Sequence, residues 1–183
     1  MPFTFTHVPL NGVIKIESKV FTDARGYFME SFKSSDFVKA GIDISFSQDN
    51  HSFSQAGVIR GLHFQRAPNP QGKLVSVISG KIFDVAVDLR PDSSTYSKWF
   101  GIILSESNGT MLWIPPGFAH GFQALQESHV YYKATVEFSQ KDDAGVRWDD
   151  PTIDVKWPHE KPVVSEKDAK LPLLSELEKR GGV

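Results

Sequence analysis

Residues 73–89 read Lys-Leu-Val-Ser-Val-Ile-Ser-Gly-Lys-Ile-Phe-Asp-Val-Ala-Val-Asp-Leu, two β-rich runs interrupted at Ser79-Gly80. Leu74–Ile78 and Ile82–Leu89 have strand length and strand composition, dominated by valine and isoleucine. The Ser-Gly pair between them predicts a hairpin turn, since glycine supplies the positive φ that tight turns need. Further strands follow on either side. Gly12–Val20 alternates through Val13, Ile14, Ile16 and Val20, and Gly26–Phe32 carries Tyr27, Phe28, Met29 and Phe32. Trp99–Leu104 and Met111–Ile114 flank a turn signal, Glu106-Ser107-Asn108-Gly109. Ser128–Phe138 alternates most cleanly: Val130, Tyr132, Ala134, Val136 and Phe138 share one face, and Tyr131, Lys133, Thr135 and Glu137 the other.

Helical signals are few. Ser34–Gly41 reads as a short capped helix closed by glycine, and Leu171–Arg180, with Pro172 near its start and Gly181-Gly182 after it, as a C-terminal one. Many short strands at turn spacing predict an all-β sandwich or barrel, with the jelly roll the natural candidate. With 183 residues and no repeat or linker, residues 1–183 are expected to form one domain, with an N-terminal strand extension and a C-terminal helical tail.

Composition narrows the function. The chain is 40% hydrophobic and 12% aromatic, enough for a real core, and its net charge of −2 offers nothing to nucleic acid. The absence of cysteine removes disulfides, thiolate catalysis and Cys-ligated zinc, and suits a cytoplasmic setting. Met1–His7 lacks the features of a signal peptide, and no stretch approaches the ~20 apolar residues of a membrane span, so no membrane partner is expected.

Four clusters carry chemistry. In Arg60-Gly61-Leu62-His63-Phe64-Gln65, a regular strand puts Gly61, His63 and Gln65 on one face. A lone strand histidine is more often satisfied by backbone than catalytic. Here Arg60 and Lys73 supply cations, which favour a neutral imidazole able to act as a base. Trp113–Phe122 is the second cluster: the pattern Gly109, five residues, Pro115-Pro116-Gly117, two residues, His120 resembles the second motif of cupins. In cupins that histidine often binds metal, but His63-Phe64-Gln65 offers one histidine where the first cupin motif has two, so a metal-free site is expected. Tyr132 is either a core aromatic or a phenolic proton donor; in a regular strand Tyr131 faces the other way, so one of the two is available. Asp168, in Ser165-Glu166-Lys167-Asp168, reads by itself as an exposed charge before a helix.

In order and spacing these clusters resemble the dTDP-4-dehydrorhamnose 3,5-epimerase family. The resemblance rests on Asp23-x-Arg25-Gly26-Tyr27-Phe28-x-Glu30-Ser31-Phe32, Gln48-Asp49-Asn50-His51-Ser52, Val58-x-Arg60-Gly61-Leu62-His63-Phe64-Gln65 and Gln71-Gly72-Lys73-Leu74-Val75. It continues through Phe83–Arg90, Trp113–Phe122 and Arg147-Trp148-Asp149-Asp150-Pro151. Each is weak alone, and the ordered set is specific. It implies a cupin-like jelly roll (a double-stranded β-helix), a homodimer, a nucleotide-sugar substrate, and neither metal nor redox cofactor. It implies His63 as general base supported by Asp168, and Tyr132 as acid on the opposite sugar face. Lys73 and Arg60 would stabilise the enolate oxygen, and His120 would contact substrate. Arg25, Glu30, Gln48, Asn50, Asp143 and Lys167 would hold the nucleotide or its phosphates, with Phe138 retaining an aromatic near the base. Relatives carry a Thr-Asp-Tyr-Tyr-like stretch where this chain has Ala134-Thr135-Val136-Glu137-Phe138, which bears on whether C3 and C5 are both inverted or C3 alone. Competing readings are a metal-dependent cupin enzyme and a sugar-binding jelly roll without catalysis.

Overall fold

The two valine-rich runs around Gly80 do form strands, β7 (Lys73–Ser79) and β8 (Lys81–Asp88), but they do not pair with each other. The computed structural model, which describes residues 2–179, divides them between two facing sheets. The other strands are β1 (Phe3–His7), β2 (Ile14–Ser18), β3 (Phe21–Asp23), β4 (Gly26–Phe28), β5 (Gln48–Ser54) and β6 (Val58–Gln65). They continue with β9 (Trp99–Ser105), β10 (Thr110–Ile114), β11 (Phe118–Ala124), β12 (Ser128–Ala134), β13 (Asp143–Gly145) and β14 (Val163–Val164). Three short helices, α1 (Ser34–Lys39), α2 (Glu166–Ala169) and α3 (Leu174–Lys179), complete the set.

One sheet runs β1-β2-β10-β7-β12-β5 and the other β13-β6-β11-β8-β9, with β14 added parallel to β6 and β3-β4 forming a separate hairpin. This is a cupin-like jelly roll. The expected hairpin at Ser79-Gly80 is therefore a crossing from one sheet to the other. Gly80 (φ +92°) fits because a Cβ there would run into the Glu127 carbonyl and Ser128.

Period-two alternation explains why these strands read as continuous apolar runs: both faces are covered. Val75 and Val77 of β7, Ile82 and Ala86 of β8, Leu112 and Ile114 of β10, and Val130 of β12 meet between the sheets. The alternate residues Leu74, Met111 and Trp113 pack outward against Phe37 of α1, whereas Val85 and Val87 pack against Leu174 and Leu177 of α3.

Local departures from the sequence reading have physical causes. β12 ends at Ala134, so Val136, Glu137 and Phe138 lie off the strand, held by side chains from other elements. Of the Gly26–Phe32 run only 26–28 is strand, and Phe32 instead packs edge-on against Phe37 and Phe46. α1 starts from Lys33 without a side-chain cap, and Gly41 (φ +83°) follows its end. α3 begins at Leu174; the expected end at Arg180 and Gly181-Gly182 lies outside the described residues. The N-terminal segment pairs with β2 of its own chain and forms the sheet's edge.

Candidate active site

The same inward-facing rows that build the core at one end of the sandwich turn polar at the other. On β7 the residue inward of Val75 by one period is Lys73; on β11 His120 falls between Phe118 and Phe122; on β12 Tyr132 follows Val130. These side chains line a cavity of about 520 Å³ together with Ser52, Arg60, His63, Phe122, Ser165, Lys167 and Asp168. Tyr131 is not among them, so the strand register selects Tyr132.

A bulge in β6 shapes the floor. His120 pairs with His63 and Phe122 with Arg60, so three steps on β6 match two on β11. The extra residue breaks strict alternation, and Arg60 and His63, which a regular strand would send to opposite faces, both reach the cavity. Gly61 makes the bulge possible: at φ +115°, a Cβ would lie 2.7 Å from both Gly121 Cα and the His120 carbonyl oxygen. Gln65 does not share the outlook of His63. It is buried, and its amide bonds Asn69, Glu137 and Ser139, fixing the segment after β12.

His63 Nε2 lies 2.8 Å from Asp168 Oδ1, while Asp168 Oδ2 accepts the Gly61 N–H at 3.1 Å. Far from being exposed, Asp168 is buried on α2, whose N-cap Ser165 accepts the Asp168 N–H. Burial pushes this carboxyl up, but the bond and charge of His63, the Gly61 N–H and Lys167 outweigh it, leaving Asp168 below its ordinary value. An ionised carboxylate only accepts, so neutral His63 carries its proton on Nε2 and keeps Nδ1 as a free lone pair.

The opposite sheet supplies a phenol and a cation. Burial raises the Tyr132 phenol, with Arg60 acting against it, so the hydroxyl stays protonated well above neutrality. Burial lowers Lys73 to about 8 against the pull of Asp84 and Asp143, and its ammonium lies 5.8 Å from the Tyr132 ring centre. Lys167, on the cavity rim, is paired with Asp143 at 2.6 Å.

The remaining expected residues stand apart from this cavity. Gln48 donates to Asn50 Oδ1 at 2.8 Å and accepts the Phe138 N–H at 2.7 Å, making a small cluster beside Tyr132, the strand partner of Asn50. Asn50 Nδ2 and Ser52 Oγ, on the inward face of β5, are buried without partners among the described residues. Arg25 sits exposed in the β3-β4 hairpin, bonded to Asp23, and Glu30 contacts Ser18 through its backbone.

Sequence reading overlooked Asp84, Ser52, Phe122 and Ser165. Asp84 had a signal, a carboxylate inside an unbroken apolar strand, where an unpaired charge is not tolerated. It lies 2.8 Å from His120 Nε2. Ser165 also had one, as Ser-x-x-Asp is a helix-start pattern. Among the described residues no group of three or more His, Asp or Glu is placed to hold a metal ion.

Known proteins match the chain in sequence and in fold. Residues 7–176 match the family described as dTDP-4-dehydrorhamnose 3,5-epimerase. The enzyme of that name from Methanothermobacter thermautotrophicus is 51% identical, over 95% of this chain and 96% of its own. Among solved structures, the Legionella pneumophila 3,5-epimerase in complex with dTDP-4-keto-L-rhamnose superposes with a TM-score of 0.93 at 40% identity, covering 97% of this chain and 96% of that one. The Bacillus anthracis dTDP-4-dehydrorhamnose 3,5-epimerase with TDP and pyrophosphate bound gives 0.92 at 43%, covering 94% and 99%. With matches of this extent in sequence and in backbone, the chain belongs to the dTDP-4-dehydrorhamnose 3,5-epimerase family.

Proposed function

We propose that this enzyme inverts C3 and C5 of dTDP-4-dehydro-6-deoxy-D-glucose, giving dTDP-4-dehydro-L-rhamnose, and that residues 1–183 act as one domain within a homodimer. The observation that carries the reading is His63 on one sheet, backed by Asp168 of α2, facing Tyr132 and Lys73 on the other sheet across a single cavity. The C4 ketone acidifies the hydrogens at C3 and C5, because the resulting carbanion delocalises onto oxygen. His63 Nδ1 removes one of them, and the Lys73 and Arg60 cations stabilise the oxyanion that forms, with burial strengthening the effect of Lys73. Tyr132 returns a proton to the other face, and inversion follows from base and acid standing on opposite walls.

Asn50, Gln48, Phe138, Asp143, Lys167, Arg25 and Glu30 are assigned to the nucleotide and its phosphates. The buried, unpartnered Asn50 Nδ2 and Ser52 Oγ favour a polar ligand against this wall, since leaving them bare costs roughly 1–3 kcal/mol each. The exposed apolar side chains of Phe21, Tyr27 and Phe28 support the homodimer, which would cover them. Chemistry without metal is favoured because Gln65, at the place of a second ligating histidine, has its amide committed elsewhere. A cytoplasmic location agrees with the cysteine-free sequence, and among the described residues no helix is long and apolar enough to cross a membrane.

NMR of dTDP-4-keto-6-deoxyglucose in D₂O with enzyme, following C3 and C5 separately, tests the proposal. Deuterium and inversion at both carbons are expected, with activity surviving exhaustive EDTA treatment. Inversion confined to C3 would mark a mono-epimerase, and substrate binding without exchange a sugar-binding module. Activity lost to EDTA and restored by one divalent ion would favour a metal cupin.

A further inference from the structure

His63 and His120 are strand partners on β6 and β11, and each offers the same ring nitrogen, Nε2, to a buried carboxylate at 2.8 Å. The second pair is the more enclosed. His120 is buried, Asp84 has no exposed surface, and Asp84 Oδ2 has no hydrogen-bond partner among the described residues. A carboxylate so deeply buried stays ionised only beside a compensating cation. Asp84 has one in reach: together with Asp143, it is a carboxylate whose charge favours the Lys73 ammonium. Bonded to an anion through Nε2, a neutral imidazole holds its proton there and leaves Nδ1 as an acceptor. His120 in this state is unable to donate to a ketone oxygen.

We propose that Asp84 is a positioning residue of the reaction: it locks His120 as an acceptor for a hydroxyl of the sugar ring and maintains the neighbouring Lys73 cation for the C4 oxygen. This inference rests on the epimerase reading and divides its labour. Lys73 and Arg60 hold the oxyanion, His120 holds the C2 or C3 hydroxyl, and Asp84 enforces the division without touching substrate. Burial keeps His120 below its ordinary value, Asp84 opposes that, and Lys73 and His63 add to it, so the ring is neutral at pH 7. The charged and titratable groups around the pair are Lys73, Arg60, His63, Lys167, Tyr132 and the carboxylates of Asp143 and Asp168.

Ring-nitrogen NMR of uniformly ¹⁵N-labelled protein between pH 6 and 9 reads the tautomer directly, the His120 signals being those lost in His120→Gln. A protonated Nε2 with a bare Nδ1 is expected throughout; the opposite tautomer overturns the proposal. In Asp84→Asn, the alkaline limb of kcat/KM should move to lower pH, and kcat should fall at least tenfold more than KM changes, with partial recovery in Asp84→Glu. A folded Asp84→Asn protein that keeps both the limb and the tautomer also overturns it. If that variant does not fold, the spectrum of the unsubstituted protein decides alone. Failure of the epimerase reading looks different: no deuterium exchange in the unsubstituted enzyme, whatever the His120 tautomer.

Discussion

Tyr132 and Lys73 test the chemistry one side chain at a time. Tyr132→Phe removes the donor but leaves His63, Asp168 and the cations in place. Deprotonation should continue, with protonated His63 returning the proton to its original face. NMR in D₂O should then record deuterium entering the substrate with little inverted sugar; a packing role for Tyr132 predicts that both survive. His63→Ala should lower exchange at both carbons by at least the ~10²-fold a general base contributes. Lys73 adds a pH dependence. With its ammonium at about 8, kcat/KM should fall as pH rises through that value, and Lys73→Arg, whose charge persists, should remove the limb if the longer side chain is accommodated. The stability sign is the reverse of an ordinary ion pair. The folded value lies below the unfolded 10.5, so the unfolded chain binds more protons between pH 8 and 10.5 and stability rises with pH across that window. At pH 7 the buried charge costs on the order of 3 kcal/mol, taking ~1.4 kcal/mol per unit. The urea midpoint of the unsubstituted protein should rise relative to that of Lys73→Met between pH 8 and pH 10.

At the scale of elements, the β6 bulge and α2 position His63, the proposed base. Gly61→Ala places a methyl against Gly121 and the His120 carbonyl and demands a left-handed backbone of alanine, roughly 1–3 kcal/mol before the clash is counted. A lowered melting temperature is expected, with a loss of exchange larger than the stability change explains, because Arg60 and His63 lose their common direction. Asp168→Asn keeps the shape of α2 but removes the anion that fixes the His63 tautomer. Its circular dichroism should match the unsubstituted protein while deuterium exchange falls by on the order of 10²-fold or more; equal exchange would show that α2 only closes the cavity. The strands themselves were legible, since β-branched alternation survives translation into any sheet. Their partners were not: Ser79-Gly80 carries hairpin chemistry yet joins two sheets, because a turn's local conformation does not specify which strands later dock on either side.

At the scale of the molecule, the sandwich lines one cavity from two sheets, and the exposed hairpin of Phe21, Tyr27 and Phe28 presents apolar surface that the proposed homodimer would cover. Light scattering at micromolar concentration should give about twice the 20.5 kDa chain mass. A mass equal to one chain would contradict the homodimer, and Phe28→Asp should shift the equilibrium toward monomer if this hairpin is part of the contact.

The sequence by itself determined the strand composition and the all-β class, because residue type and period two are written locally. It marked His63, Lys73, His120 and Tyr132 as one set only through the order of its motifs. Tertiary structure decided the rest. Asp168, which reads as a surface charge, is buried because α2 folds back onto β6, 105 residues away in sequence. Asp84 gains meaning only when β8 is laid beside β11 and His120. Arg60 reaches the cavity with His63 because an inserted residue reverses the alternation, and a bulge is a property of two paired strands rather than of either one.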